Sequence, residues 1–261
     1  MFLTKEEKTK FRKRLRGDLV LHCPKCNGTG YITRIEERNG VKSEISSHCS
    51  CMQEVERKMK LLDSGITLES IRDWNIDKIK DKHYYKKIFD YIKNFNDNYS
   101  QGKGLFIHGR QGIGKTTVSC IIAEEVSKIK PYFEQDEYTV GFIMFADVID
   151  NNFDEERKRK TEKLLMGVDL LIIDNLGNEA GRNKESQFAQ RILEMTLRKR
   201  HNNLLPTVIT TNYELDEIEK MYNKDIHDFL IQNNEDIFFS DENHRTTQET
   251  TDENVDDDFD F

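Results

Sequence analysis

No run of about 18 consecutive apolar residues occurs in this chain, so the sequence offers no membrane-spanning helix. Its opening, Met-Phe-Leu-Thr-Lys-Glu-Glu-Lys, lacks the apolar centre of a secretory signal, and the expectation is a cytoplasmic protein without a membrane partner. Internal repeats are absent. Cysteine is scarce, with five in all, and in a cytoplasmic chain that points to metal ligation or free thiols rather than disulfides. Basic residues are missing from 246–261, which carries seven acidic groups, so without that stretch the net charge of −8 nearly vanishes. Residues 1–17 reverse the sign, with seven Lys/Arg against two Glu. A basic head and an acidic tail suggest partners for the two ends, or simply solubilising termini.

What the 261 residues do contain is enough for one medium domain with appendages, at 36% hydrophobic and 34% charged. Residues 109–116 read Gly-Arg-Gln-Gly-Ile-Gly-Lys-Thr, a full match to the phosphate-binding loop G-x-x-x-x-G-K-[ST]. Gly104–His108 before it reads as a buried strand, and Val118–Ile129 after it as a helix with apolar residues at Val118, Ile121, Ile122, Val126 and Ile129. In that context backbone N–H groups and a helix N-terminus face phosphate oxygens. The nucleotide-contacting stretch is then Gly109, Arg110, Gln111, Gly112, Ile113, Gly114, Lys115, Thr116 and Thr117. Lys115 would reach the β- and γ-phosphates, and the Thr116 hydroxyl would hold Mg²⁺.

Four further apolar runs read as strands: Gly141–Phe145, Leu170–Asp174, Thr207–Thr210 and Ile237–Phe239. Helical patterns separate them, the clearest at Glu185–Arg200, and the alternation predicts an α/β fold, a parallel sheet with helices on both faces. Val168–Asp174 is an apolar strand ending in a carboxylate about 60 residues after the loop, where Asp174 would ligate Mg²⁺ through water. Pro206–Asn212 is a β-branched strand ending in an amide, and Asn212 is placed to position an attacking water. The expected organisation is a basic helix plus cysteine module over 1–64, an ATPase domain over 65–245 and a disordered acidic tail over 246–261.

The phosphate loop, Leu170–Gly177, the helix ending Arg198-Lys199-Arg200-His201 and Leu205–Asn212 together resemble the DnaC/DnaI-type helicase loaders. The transposition ATPase IstB is similar. These are AAA+ ATPases of the initiator clade, and the resemblance covers roughly residues 65–245. It implies a RecA-like sheet, ATP and Mg²⁺, self-association through ATP interfaces, single-stranded DNA, and a replicative DNA helicase as partner. Two positions depart from the family's pattern. The residue after the Mg²⁺ carboxylate, normally Asp or Glu, is Asn175. An amide orients water but cannot accept its proton, so slow turnover is expected. The arginine finger that normally follows the Asn212 strand is missing, because no arginine occurs between Asn212 and Arg245. Arg245 matches a terminal arginine common in such loaders, with Arg198 and Arg200 as further candidates.

Cys23-Pro24-Lys25-Cys26 is a C-x-x-C knuckle, and Cys49-Ser50-Cys51 follows after 22 residues. Four thiolates at these spacings suit one tetrahedral structural Zn²⁺, with His22 and His48 as alternative ligands. The segment between, centred on Asn39-Gly40, predicts a β-hairpin that brings the pairs together. Cys120 reads as a packed core thiol. Arg157, Lys158, Arg159 and Lys160 lie on an expected helix and are candidates for DNA contact, although Asp154, Glu155, Glu156 and Glu162 also allow a solvated face. The ending Asp-Asp-Asp-Phe-Asp-Phe resembles the tips of single-stranded-DNA-binding proteins. The leading function is ATP-dependent helicase loading by a virus- or mobile-element-encoded protein. The alternatives are an IstB-like transposition ATPase and a zinc adaptor that uses ATP as a switch.

Overall fold

Thr4 and Glu7 set the first helix, α1 (Lys5–Leu19), by capping each other's backbone N–H groups, a reciprocal arrangement that satisfies two otherwise orphan donors. The computed structural model describes residues 3–38, 41–67, 76–80, 82–132, 136–178 and 185–240. These fall into two compact units, Met1–Asp73 and Trp74–Phe261.

In the first unit α1 is followed by the strands β1 (Tyr31–Arg38) and β2 (Val41–His48), paired antiparallel from Tyr31↔His48 to Arg38↔Val41. Asn39 and Gly40, where the sequence predicts the turn of this hairpin, lie outside the described residues. Helix α2 (Ser50–Asp63) buries Met52, Val55, Met59, Leu61 and Leu62. It packs with α1, where Leu15 is buried and Lys8–Asp63 and Arg12–Glu56 pair at 2.9 and 3.2 Å. Those pairs are solvent-exposed and contribute little, so the apolar seam carries the contact.

The second unit begins with a 3-10 turn (Ile76–Ile79), α3 (Tyr85–Lys93) and α4 (Phe95–Ser100). Then come β3 (Gly104–Gly109), α5 (Lys115–Val126), β4 (Val140–Met144), α6 (Phe145–Asn151) and α7 (Glu155–Gly167). β5 (Leu170–Leu176), α8 (Glu185–Asn202), β6 (Thr207–Thr211), α9 (Leu215–Met221), α10 (Lys224–Asn233) and β7 (Asn234–Phe239) complete it. The five strands pair in parallel in the order β4-β5-β6-β3-β7. Every residue of β3 and β6 is buried, as expected where helices cover both faces of a parallel sheet. Gly104 is required by close approach: a Cβ there would lie 2.0 Å from the Thr207 carbonyl oxygen. At the free edge of β7, Lys87 Nζ donates to the Asp236 carbonyl at 2.9 Å and Tyr84 stacks on Phe239 at 3.7 Å, which covers an edge otherwise open to pairing. The elements agree with the α/β expectation, with offsets at the ends. The helix after the phosphate loop starts at Lys115 and stops at Val126, and the last strand starts at Asn234. Residues 68–75, with the apolar side chains Leu68, Ile71 and Trp74, lie outside the described residues.

Arg200 locks this unit internally. Its guanidinium is fully buried and donates to the carbonyls of Leu165 (2.6 Å), Val168 (3.1 Å), Asp169 (3.0 Å) and Pro206 (2.8 Å), and to Thr207 Oγ1 (3.0 Å). It ties the end of α7 and the starts of β5 and β6 to α8. Burial lowers its pKa to about 10, opposed by Asp169. Arg200 is therefore committed to the core and cannot act as a finger, while Arg198 is exposed and pairs with Glu194 at 2.9 Å. Arg200→Ala leaves several buried carbonyls without donors, and the expected loss is roughly 3–5 kcal/mol of stability, measured by urea unfolding.

Candidate nucleotide site and cysteine cluster

Between β3 and α5 the loop turns on Gly109, Gly112 and Gly114, with φ of 139°, 85° and 95°. At Gly109 a Cβ would stand 2.3 Å from the Phe239 carbonyl oxygen, so glycine is needed both for its conformation and for space. Ile113 is buried and pins the loop from below. Gly114 caps α5 without a side-chain hydrogen bond, leaving the first-turn N–H groups to an incoming anion. Lys115 is buried and its Nζ donates to the carbonyls of Gly109 and Arg110, both at 2.7 Å. Burial lowers its pKa to about 8, with Asp174 opposing. Arg110, Gln111 and Thr116 are exposed, and Gly112 and Thr117 are half-buried.

The structure brings Lys115, Thr116, Asp174, Asn175 and Asn212 together at the carboxyl ends of neighbouring strands, the crevice where open α/β sheets bind ligands. Thr116 Oγ1 donates to Asp174 at 2.9 Å, and Thr210 Oγ1 donates to the same carboxylate. Burial raises the Asp174 pKa, against the hydrogen bonds from Thr210 and Thr116 and the charge of Lys115. Just beyond it the pairing of β5 with β6 shifts register between Ile173 and Leu176. Asn175 sits at this bulge with φ 63°, a left-handed conformation that asparagine tolerates far better than most residues. Its N–H donates to Thr210 Oγ1 at 2.9 Å, and Asn212 Nδ2 donates to its Oδ1 at 3.2 Å. The two amides thus form one unit beside the carboxylate. Arg245 lies outside the described residues, as does the acidic tail.

Sequence reasoning did not single out three further residues. Thr210 joins Asp174 to Asn175, and its only signal was a threonine-rich strand. His108, at the end of β3, is buried with Nδ1 3.0 Å from a Glu214 carboxylate oxygen and Nε2 3.0 Å from an Asp236 one, close approaches that do not meet hydrogen-bond geometry. Phe153 stands 74% exposed before α7, its ring 5.8 Å from that of Phe188. A lone aromatic in the polar run Asn151-Asn152-Phe153-Asp154 was the available clue. On α7 itself Arg157, Arg159 and Lys160 are exposed and Lys158 half-buried, with Lys160 paired to Glu156 at 2.6 Å.

In the first unit, the Sγ atoms of Cys23, Cys26, Cys49 and Cys51 all lie within 4.8 Å of one another. Cys23–Cys49 and Cys26–Cys51 are 3.8 and 3.7 Å apart. Four sulfurs bonded at ~2.3 Å to one tetrahedral ion would be ~3.8 Å apart, so the donor set fits one such metal. Gly28 and Gly30, at φ 83° and 81°, shape the knuckle, and the Gly30 N–H donates to Cys26 Sγ at 3.2 Å. Burial acts to raise Cys26, yet that N–H and the other thiols bring it down to about 6. Cys51 is pushed up to about 12 by burial and by its sulfur neighbours. Four thiolates in one pocket oppose each other unless a cation joins them, and Cys49 and Cys51 add the favourable N-terminus of α2. His48 instead packs beside Tyr31, ring centroids 5.1 Å apart, and His22 is exposed.

The strand order, the phosphate loop and the Thr116–Asp174 pair define the second unit as an AAA+-type P-loop fold. Within that class the chain resembles the DnaC/DnaI-type helicase loaders. It is 24% identical over 135 residues to the replicative helicase loader DnaI of Bacillus subtilis (strain 168), which is 52% of this chain and 41% of that protein. The chain thus matches less than half the length of that relative. The crystal structure of the DnaC helicase loader superposes with a TM-score of 0.55 at 22% identity, covering 66% of this chain and 99% of that one. The replication initiator DnaA bound to AMPPCP and single-stranded DNA gives 0.52 at 14% identity, over 66% of this chain and 51% of that one. No protein-family model matches the sequence. Among the described residues no helix is long and apolar enough to cross a membrane.

Proposed function

We propose that this chain is an ATP-gated loader that places a replicative DNA helicase on single-stranded DNA. The observation that carries the reading is the convergence of Lys115, Thr116 and Asp174 on one loop in a chain resembling helicase loaders. In this reading Lys115 leaves the Gly109 and Arg110 carbonyls for the β- and γ-phosphates, and the α5 N-terminus completes the cradle. Thr116 and Asp174 hold Mg²⁺, which when bound neutralises charge on the phosphate oxygens. Asn175 and Asn212 orient the attacking water. With an amide where a general base would stand, hydrolysis is slow and the nucleotide state acts as a timer. Assembly of several copies through their ATP sites, with Arg245 as the finger, would complete each site. A DnaA structure holding AMPPCP and single-stranded DNA supports the same ligands here. Arg157, Lys158, Arg159 and Lys160 would contact phosphates while Phe153 stacks on a base.

The Met1–Asp73 unit, with Zn²⁺ on Cys23, Cys26, Cys49 and Cys51, would grip the helicase. One zinc per chain is expected by elemental analysis. Cys51→Ala should lose the metal and, with it, the protease resistance of residues 20–64, because structural zinc contributes on the order of 10 kcal/mol to such modules. A chain that purifies metal-free yet equally resistant would contradict this. The function itself is tested by transfer of a hexameric replicative helicase from its host onto circular single-stranded DNA. Loading is expected with wild type and ATP and not with Lys115→Met, whereas helicase occupancy unaffected by the protein would refute the proposal.

A further inference from the structure

The hairpin of the first unit carries an unused edge. Strand β2 pairs only with β1 among the described residues, and apart from half-buried Ile45 its residues are exposed. Val41 is 68% exposed and Ile35, on β1, 72%. Natural sheets protect open edges with proline, bulges or inward charges. β2 has no proline, and its pairing with β1 runs without a bulge from Tyr31↔His48 to Arg38↔Val41. What it has is the sequence Val41-Lys42-Ser43-Glu44-Ile45, which is complementary to itself when read in reverse.

The geometry points to a second copy of this chain as the occupant of that edge, joined by antiparallel β2–β2 pairing about a two-fold axis through Ser43. In that register Lys42 faces the second copy's Glu44 and Val41 faces its Ile45, each contact occurring twice. Directly opposed residues share a face, so the four apolar side chains fall on one side of the new sheet and the two ion pairs on the other. The neighbouring two-fold registers are excluded by charge: centring on Lys42 opposes two ammonium groups and centring on Glu44 opposes two carboxylates. Lys42 already faces Glu37 across the hairpin, and in this register it gains a second carboxylate, Glu44 of the second copy, in a contact that the two-fold axis repeats. The result is a four-stranded antiparallel sheet across two chains, separate from any assembly through ATP sites. Its small area makes it a concentration-dependent contact.

The test is analytical ultracentrifugation of the full-length, nucleotide-free protein. Wild type should show a reversible monomer–dimer equilibrium. Lys42→Glu opposes carboxylates across the axis and Glu44→Lys opposes ammonium groups, so each variant should dimerise at least tenfold more weakly. The doubly swapped Lys42→Glu/Glu44→Lys chain should recover the dimer, and an equimolar mixture of the two single variants should form a heterodimer. Both substitutions alter exposed side chains, and unchanged metal content would show that the fold persists. A monomeric wild type at all concentrations, or single variants that dimerise like wild type, would overturn the assignment, as would a swapped double variant that stays monomeric.

Discussion

Lys115→Met is expected to weaken ATP binding by about 100-fold or more. Two charge-assisted hydrogen bonds to phosphate, each worth roughly 1.5–3 kcal/mol, are lost at once, and about 1.4 kcal/mol corresponds to each factor of ten. The fold should survive, because the methionine stem still fills the site and the released carbonyls of Gly109 and Arg110 border the open loop. The same residue sets a pH dependence. Its pKa, lowered by burial to about 8, means the ammonium is intact below that pH and is lost as pH rises through it. ATP affinity in the wild type should accordingly be flat below pH 8 and fall above it by at most about tenfold per unit, with proton uptake on binding. Titration with a fluorescent ATP analogue between pH 6.5 and 9.5 checks both statements. Equal affinity in wild type and variant would remove Lys115 from the site.

Asn175→Asp is expected to raise ATP turnover about 10- to 100-fold. General-base assistance is worth about 10²–10⁴, and part of it should be recovered by supplying a carboxylate at the bulge. Aspartate is the appropriate replacement because, like asparagine, it tolerates the left-handed φ of 63°, and it can still accept from Asn212 Nδ2. Glutamate, with a longer side chain in a strained backbone position, should recover less. The check is steady-state phosphate release with and without single-stranded DNA. A rate unchanged by the aspartate would contradict the assignment of Asn175 as the cause of slow turnover.

The α/β architecture was readable because central parallel strands are buried on both faces and appear as unbroken apolar runs, as in Leu-Phe-Ile-His and Leu-Leu-Ile-Ile-Asp. The phosphate loop was equally plain, since its glycines are demanded by local backbone geometry. Contacts between distant segments were not. Arg200 looked like one more cation in the string Arg198-Lys199-Arg200-His201. Its burial follows only from where α7, β5 and β6 meet, and that meeting removed it from the finger candidates. Thr210 and His108 escaped notice for the same reason: the polar groups that surround each lie at least 35 residues away in sequence. Asn175 shows the reverse case. Its chemistry was legible as a departure from the expected carboxylate, whereas the bulge and positive φ that accompany it emerge only in three dimensions.

If the nucleotide is a gate for the DNA grip, the state of the Lys115–Asp174 site must be felt at α7 and Phe153. Fluorescence anisotropy of labelled oligothymidine, at one fixed salt concentration, measures this directly in three states: no nucleotide, ADP·Mg²⁺ and a slowly hydrolysed ATP analogue with Mg²⁺. The expected result is binding at least tenfold tighter with the analogue than with ADP, lost in Lys115→Met and weakened by Arg157→Ala, Arg159→Ala or Phe153→Ala. Equal affinity in all three states would contradict a nucleotide-gated hold on single-stranded DNA.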